Sequence, residues 1–118
     1  MRFTLPSLVL VSGLAQVGTA TWIVDFYEKG CPKDGDTTNL DSVGSTSGQK
    51  GDEMWCYPVD SAHSGVLRGI EADGYKVDLF TDWLCHPQYL IETWTTDGCF
   101  VVNSEPNTVI AGARIVPK

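Results

Sequence analysis

Asp60, Ser61 and His63 put a carboxylate, a hydroxyl and an imidazole into one short stretch, the three groups that make an activated serine nucleophile. Such a relay needs the imidazole between hydroxyl and carboxylate, with each pair at hydrogen-bond distance. Side chains crowded onto one turn cannot take up that arrangement, so a role as polar turn residues is expected. His86, between Cys85 and Pro87, reads as an exposed turn residue rather than a base. Adjacent acids such as Asp52-Glu53 could in principle serve glycoside hydrolysis, but a charge pair is ordinarily solvated surface, and the chain is short for cleft-building loops. No catalytic residue is assigned, and the chain is not expected to be an enzyme.

Cys31, Cys56, Cys85 and Cys99 could ligate zinc or pair as disulfides. No CxxC pair is present, and His63 and His86 fall outside zinc-ligand spacing. The start of the chain favours disulfides. Met1-Arg2 is followed by the uncharged apolar run "LPSLVLVSGLAQV" and by "GTA", with small residues at Gly18 and Ala20. These are the parts of a secretory signal peptide, residues 1–20, with cleavage expected after Ala20. The run is too short for a membrane span. An even cysteine count on an oxidising route predicts two disulfides. Residues 21–118 suffice for one domain, expected to be secreted, extracellular, monomeric and not inserted in a membrane. The formal net charge of −7 argues against nucleic acid or anionic lipid as a partner.

The elements that must position these residues are written twice. "VDFY" (24–27), Cys31 and "CYPVDS" (56–61) recur in order as "VDLF" (77–80), Cys85 and "CFVVNS" (99–104). Several matches in one order imply an internal duplication with a period of roughly forty to fifty residues. Repeat one covers about 22–72 and repeat two about 75–116. Of three possible disulfide connectivities, one staple per repeat is expected: Cys31–Cys56 and Cys85–Cys99.

"TWIVDFY" and "YKVDLF" alternate as half-buried strands do, and "SGVLRGI", "YLIETWTT", "CFVVN" and "TVIAGARIV" are rich in β-branched and aromatic residues. Turn-forming clusters such as "DSAHSG", "EADG" and "TTDG" separate them. The pattern predicts an all-β chain of seven or eight short strands. Residues 32–53, poor in apolar side chains, read as one weak strand plus a long surface insertion.

With the duplication laid out, each repeat resembles the Greek-key motif of the βγ-crystallin superfamily. Phe26-Tyr27-Glu28 matches that family's "FYE" step, and the segments 60–65 and 103–108 stand where its closing segment runs into a valine-rich strand. Small secreted, disulfide-rich microbial members, among them killer toxins, antifungal proteins and effectors, are the nearest in kind. The resemblance implies two tandem Greek keys forming one crystallin-like β-sandwich. Its inner faces would bury Trp22, Val24, Phe26, Val66, Val77, Leu79, Leu90, Val101 and Val109. Cys31 and Cys85 depart from the pattern, standing near the place of an aromatic.

The family's closing segment binds calcium when intact, since a hard cation takes several oxygen ligands. Asp60, Ser64, Asn103 and Asn107 keep about half of that set, so no cofactor is expected and calcium is expected to matter little. A binding role has better support. Asp82, Trp83, Leu84 and His86 flank Cys85 in "TDWLCHP", and an aromatic on a stapled connection is the kind of group that dominates interfaces. Trp55, next to Cys56, is expected to pack on the core or the disulfide. The leading expectation is a secreted, non-enzymatic interaction protein, an effector or a toxin/antimicrobial acting on an extracellular protein or cell-surface ligand. A secreted protease inhibitor and a calcium-stabilised wall or matrix protein are the alternatives.

Overall fold

In the computed structural model, residues 20–31, 42–102 and 108–118 are described. Most of the expected leader, residues 32–41 of the insertion, and the calcium-motif positions Asn103 and Asn107 lie outside them. The described residues form β1 (Trp22–Tyr27), β2 (Ser42–Gly48), β3 (Met54–Ala62), β4 (Ser64–Arg68), a single helical turn α1 (Ile70–Asp73), β5 (Tyr75–Phe80), β6 (Leu90–Trp94), β7 (Gly98–Val101) and β8 (Ile110–Pro117). A 3₁₀ turn, Pro87–Tyr89, precedes β6. Strand β3 runs through the expected turn "DSAHSG" as far as Ala62, with Ser61 at φ 58°. Pro58 is tolerated within it because β3 is an edge strand, where a missing N–H leaves no ladder bond open.

The strands make two antiparallel four-stranded sheets, ordered β2-β1-β4-β7 and β3-β8-β5-β6. Advancing every label in the first by four yields the second read backwards. Each sheet therefore takes three strands from one half of the chain and its last strand, β7 or β3, from the other. Register repeats as well: Phe26 faces Gly65 and Leu79 faces Ala113, while Gly65 faces Phe100 and Ala113 faces Tyr57. On the same register the counterpart of Val66 is Arg114.

Alternation along β1 and β5 turns Trp22, Val24 and Phe26 of one sheet toward Tyr75, Val77 and Leu79 of the other. Rings bridge the gap between the sheets. Trp22 meets Tyr75 edge-on at 6.1 Å between centroids, Phe26 stacks on Tyr57 at 6.5 Å, and Trp94 stacks on Phe100 at 5.5 Å. Trp94 also lies over Gly65, where a Cβ would come within 2.8 Å of the indole.

Two expected core residues are exposed: Leu90 by 46% and Val101 by 43%. A register irregularity opposite Leu79/Phe80 flips the pleat in β6, so Ile91 packs on the core in place of Leu90. Phe100 of β7 and Val102 just beyond it pack on the core, and alternation turns Val101 outward. Val66 is buried but outside the core cluster, to which β4 contributes Leu67, and Val109 is half-buried ahead of Ile110.

Strands β1 and β5 each carry an aspartate held the same way. Ser45 of β2 donates its hydroxyl to Asp25, and Thr93 of β6 donates to Asp78, at 2.5 and 2.8 Å. Asp78 is 1% exposed and also accepts from Nε and Nη2 of Arg114, at 3.1 and 2.8 Å. A buried carboxylate needs such a full set of donors.

The disulfides are Cys31–Cys99 and Cys56–Cys85, and no cysteine is free. The expected one-staple-per-repeat pairing is wrong because the third strand of each half crosses to the other sheet. Cys99 on β7 and Cys56 on β3 thereby move away from their own half's other cysteine and beside that of the opposite half. The bridges span 68 and 29 residues, and each is worth about 4 kcal/mol on the chain-entropy model. Peptide mapping without reduction should recover Cys31–Cys99 and Cys56–Cys85, and replacing Cys31 and Cys99 by serine should lower unfolding free energy by about 4 kcal/mol in denaturant titration.

Candidate functional site

The corner after β5 is built from a short segment that cannot continue as a strand. Thr81 closes its base by donating N–H to the carbonyl of Tyr89 at 3.0 Å. Asp82 takes the N–H of His86 at 3.2 Å and its ring Nδ1 at 2.6 Å, which fixes the tautomer with the proton on Nδ1. The His86 ring meets Tyr89 edge-on at 6.3 Å between centroids. Cys85, at φ 54°, turns its sulfur down to the Cys56 bridge. Cys56 Sγ lies 2.9 Å from the Trp83 carbonyl oxygen, a packing contact and not a hydrogen bond, since a bridged sulfur carries no hydrogen.

The corner folds over β8, and glycine makes room for it. A Cβ on Gly112 would lie 2.4 Å from the Asp82 carbonyl oxygen and 3.0 Å from Cys85 Sγ. Beneath it Phe80 is fully buried, with the Arg114 guanidinium 5.4 Å from its ring centroid. The matching place in the other sheet is Ser64, fully buried, which donates its hydroxyl to the Lys29 carbonyl.

With its base anchored at so many points, the tip of the corner is turned outward. Trp83 and Leu84 are each 72% exposed. Two shallow hollows share the Trp83 indole: Thr81, Asp82 and Leu84 line one, and Pro58, Val59 and Asp60 line the other. The sequence-expected residues Asp82, Trp83, Leu84 and His86 are thus brought together. In pairs they divide the work, Asp82 and His86 holding the corner while Trp83 and Leu84 face solvent.

Trp55 is a correction: at 67% exposed it does not pack in the core. The irregularity between Met54 and Tyr57 in β3 turns Met54 inward and leaves the indole outside. Asp60 and Pro58 were missed as neighbours of Trp83, because the crossing of β3 to the second sheet has no signal in local sequence.

The other candidates do not converge. His63 donates from Nδ1 to the Glu28 carbonyl at 2.8 Å, away from any relay with Asp60 and Ser61. Asp60 lies in the hollow beside Trp83, whereas the Ser64 hydroxyl is engaged with Lys29. Among the described residues no three His, Cys, Asp or Glu side chains are grouped to hold a metal, and no helix is long and apolar enough to cross a membrane.

No protein-family model, curated protein or solved structure matches the chain.

Replacing Gly112 by alanine drives a methyl group into backbone and sulfur that cannot both move aside. It should cost about 2–3 kcal/mol in denaturant titration and loosen the corner, seen as faster amide exchange at 82–86. Millimolar calcium added to chelated protein should raise the melting temperature by no more than about 2 °C, since stabilisation is small when Kd exceeds the ligand concentration.

Proposed function

We propose that this is a secreted, non-enzymatic interaction protein, an effector or a toxin/antimicrobial, whose recognition element is the Trp83-Leu84 corner. The observation that carries the reading is the exposure of two adjacent large apolar side chains on a corner fixed by a disulfide, a carboxylate cap and a closed base. Exposed apolar groups on a mobile loop would lose entropy on docking. Held rigidly, they bind at little such cost. The target is an extracellular protein or cell-surface ligand. Two disulfides in a chain this short suit an oxidising compartment, and the signal-peptide pattern of residues 1–20 supplies the route.

The scaffold is read as two crystallin-like Greek keys. Support comes from the strand order, in which β1, β2 and β4 of one half are completed by the third strand of the other, and β5, β6 and β8 likewise. The protein acts as a monomer, and no metal or cofactor enters its function.

The test is capture from extracellular fluid of candidate target cells with immobilised protein. Wild type should retain a defined partner, and Trp83→Ala, with an unchanged melting temperature, should weaken retention at least roughly tenfold, as for an interface hot spot. Equal capture by both proteins, or none by either, overturns the assignment of the corner.

A further inference from the structure

We infer that the corner recognises a basic, partly apolar peptide segment, with an arginine or lysine laid between Trp83 and Asp60 and an apolar neighbour on Leu84. The inference rests on the corner being the recognition element and adds the chemistry of what it takes.

The hollow formed by Pro58, Val59, Asp60 and Trp83 joins three features. Its indole is 72% exposed, and an exposed indole face attracts cations through its quadrupole. Pro58, exposed where its neighbour Val59 turns into the core, gives it an apolar wall that suits the aliphatic stem of a long basic side chain. Asp60 gives it a carboxylate with no hydrogen-bond or ion-pair partner among the described residues.

Asp60 differs in this from the aspartates of β1, β5 and the corner. Asp82 is engaged by His86, Asp78 by Thr93 and Arg114, and Asp25 by Ser45 and Arg68. Only Asp60 of these four is left to an incoming donor. The remaining charge points the same way: an acidic chain, formal net charge −7, steers basic partners toward itself. A neutral sugar would use the indole and leave the carboxylate and the net charge without a role.

The probe is the peptide acetyl-Arg-Leu-Arg-Leu-Arg-amide, titrated against the full secreted protein while the Trp83 indole N–H resonance is followed by NMR. The resonance should shift saturably, and affinity should fall roughly tenfold in Asp60→Asn and further as salt is raised. The same peptide with glutamate for arginine should leave the resonance unmoved. Equal affinity of wild type and Asp60→Asn, or an equal response to the glutamate peptide, overturns the inference. So does a response to an N-acetylglucosamine oligomer without one to the arginine peptide.

Asp60→Asn is also run beside Trp83→Ala in the extracellular capture. Loss of the partner in both supports the inference. Loss with Trp83→Ala alone leaves the corner as the recognition element and overturns its basic specificity, and loss with neither overturns both. Asp60 and Trp83 are exposed, so both variants should melt with wild type.

Discussion

Strands β3 and β7 hydrogen-bond to the half of the chain that does not contain their sequence neighbours: β3 to β8, and β7 to β4. Everything else in the molecule is arranged around that exchange. Without β7 the ladder of β4 would have an open edge, and without β3 that of β8 would. The exchanged strands also bring Tyr57 and Phe100 to the core, where they pair with Phe26 and Trp94. Tyr57 goes further, linking its hydroxyl to both N–H and carbonyl of Ser45 at 2.9 Å and so fastening edge strand β2 to edge strand β3. Cohesion between the halves is therefore built from ladder bonds, ring packing and disulfides together.

On this shared plan the two corners have diverged. The one after β1 is held by a serine hydroxyl on the Lys29 carbonyl, in a pocket that admits a side chain at Ser64. The one after β5 has one more residue ahead of its cysteine, lies directly on Gly112, and is held by Asp82 in addition to its disulfide. Loss of a side chain from β8 lets the second corner sit down on its sheet, with Trp83 and Leu84 on its outer side.

Much of this was legible in the sequence, and the rest failed for identifiable reasons. The all-β class, the strands around "WIVDFY" and "YKVDLF", and the gathering of Asp82, Trp83, Leu84 and His86 all follow from period-two patterning and turn chemistry, which are local. Disulfide pairing is not local: it depends on which sheet a strand joins, and nothing in "CYPVDS" records that β3 pairs with β8. Leu90 and Trp55 were misplaced by a related cause. A bulge of one residue inverts which side chains face the core, and Leu90 and Trp55 both stand at irregular pairings. The partnership of Asp60 with Trp83 was hidden for both reasons at once.

The two bridges are nested, Cys56–Cys85 lying wholly inside the span of Cys31–Cys99. A peptidase that cuts once anywhere between Cys31 and Cys99 consequently releases nothing, because the outer bridge still joins the two pieces. Side-by-side bridges, Cys31–Cys56 and Cys85–Cys99, would let one cut in the exposed stretch near Glu71 and Ala72 separate the halves. The exchange of strands that completes the sheets thus gives the chain the covalent connectivity of a ring with two short tails. A chain cut once within that ring stays a single covalent molecule, with both halves held at the concentration of one chain.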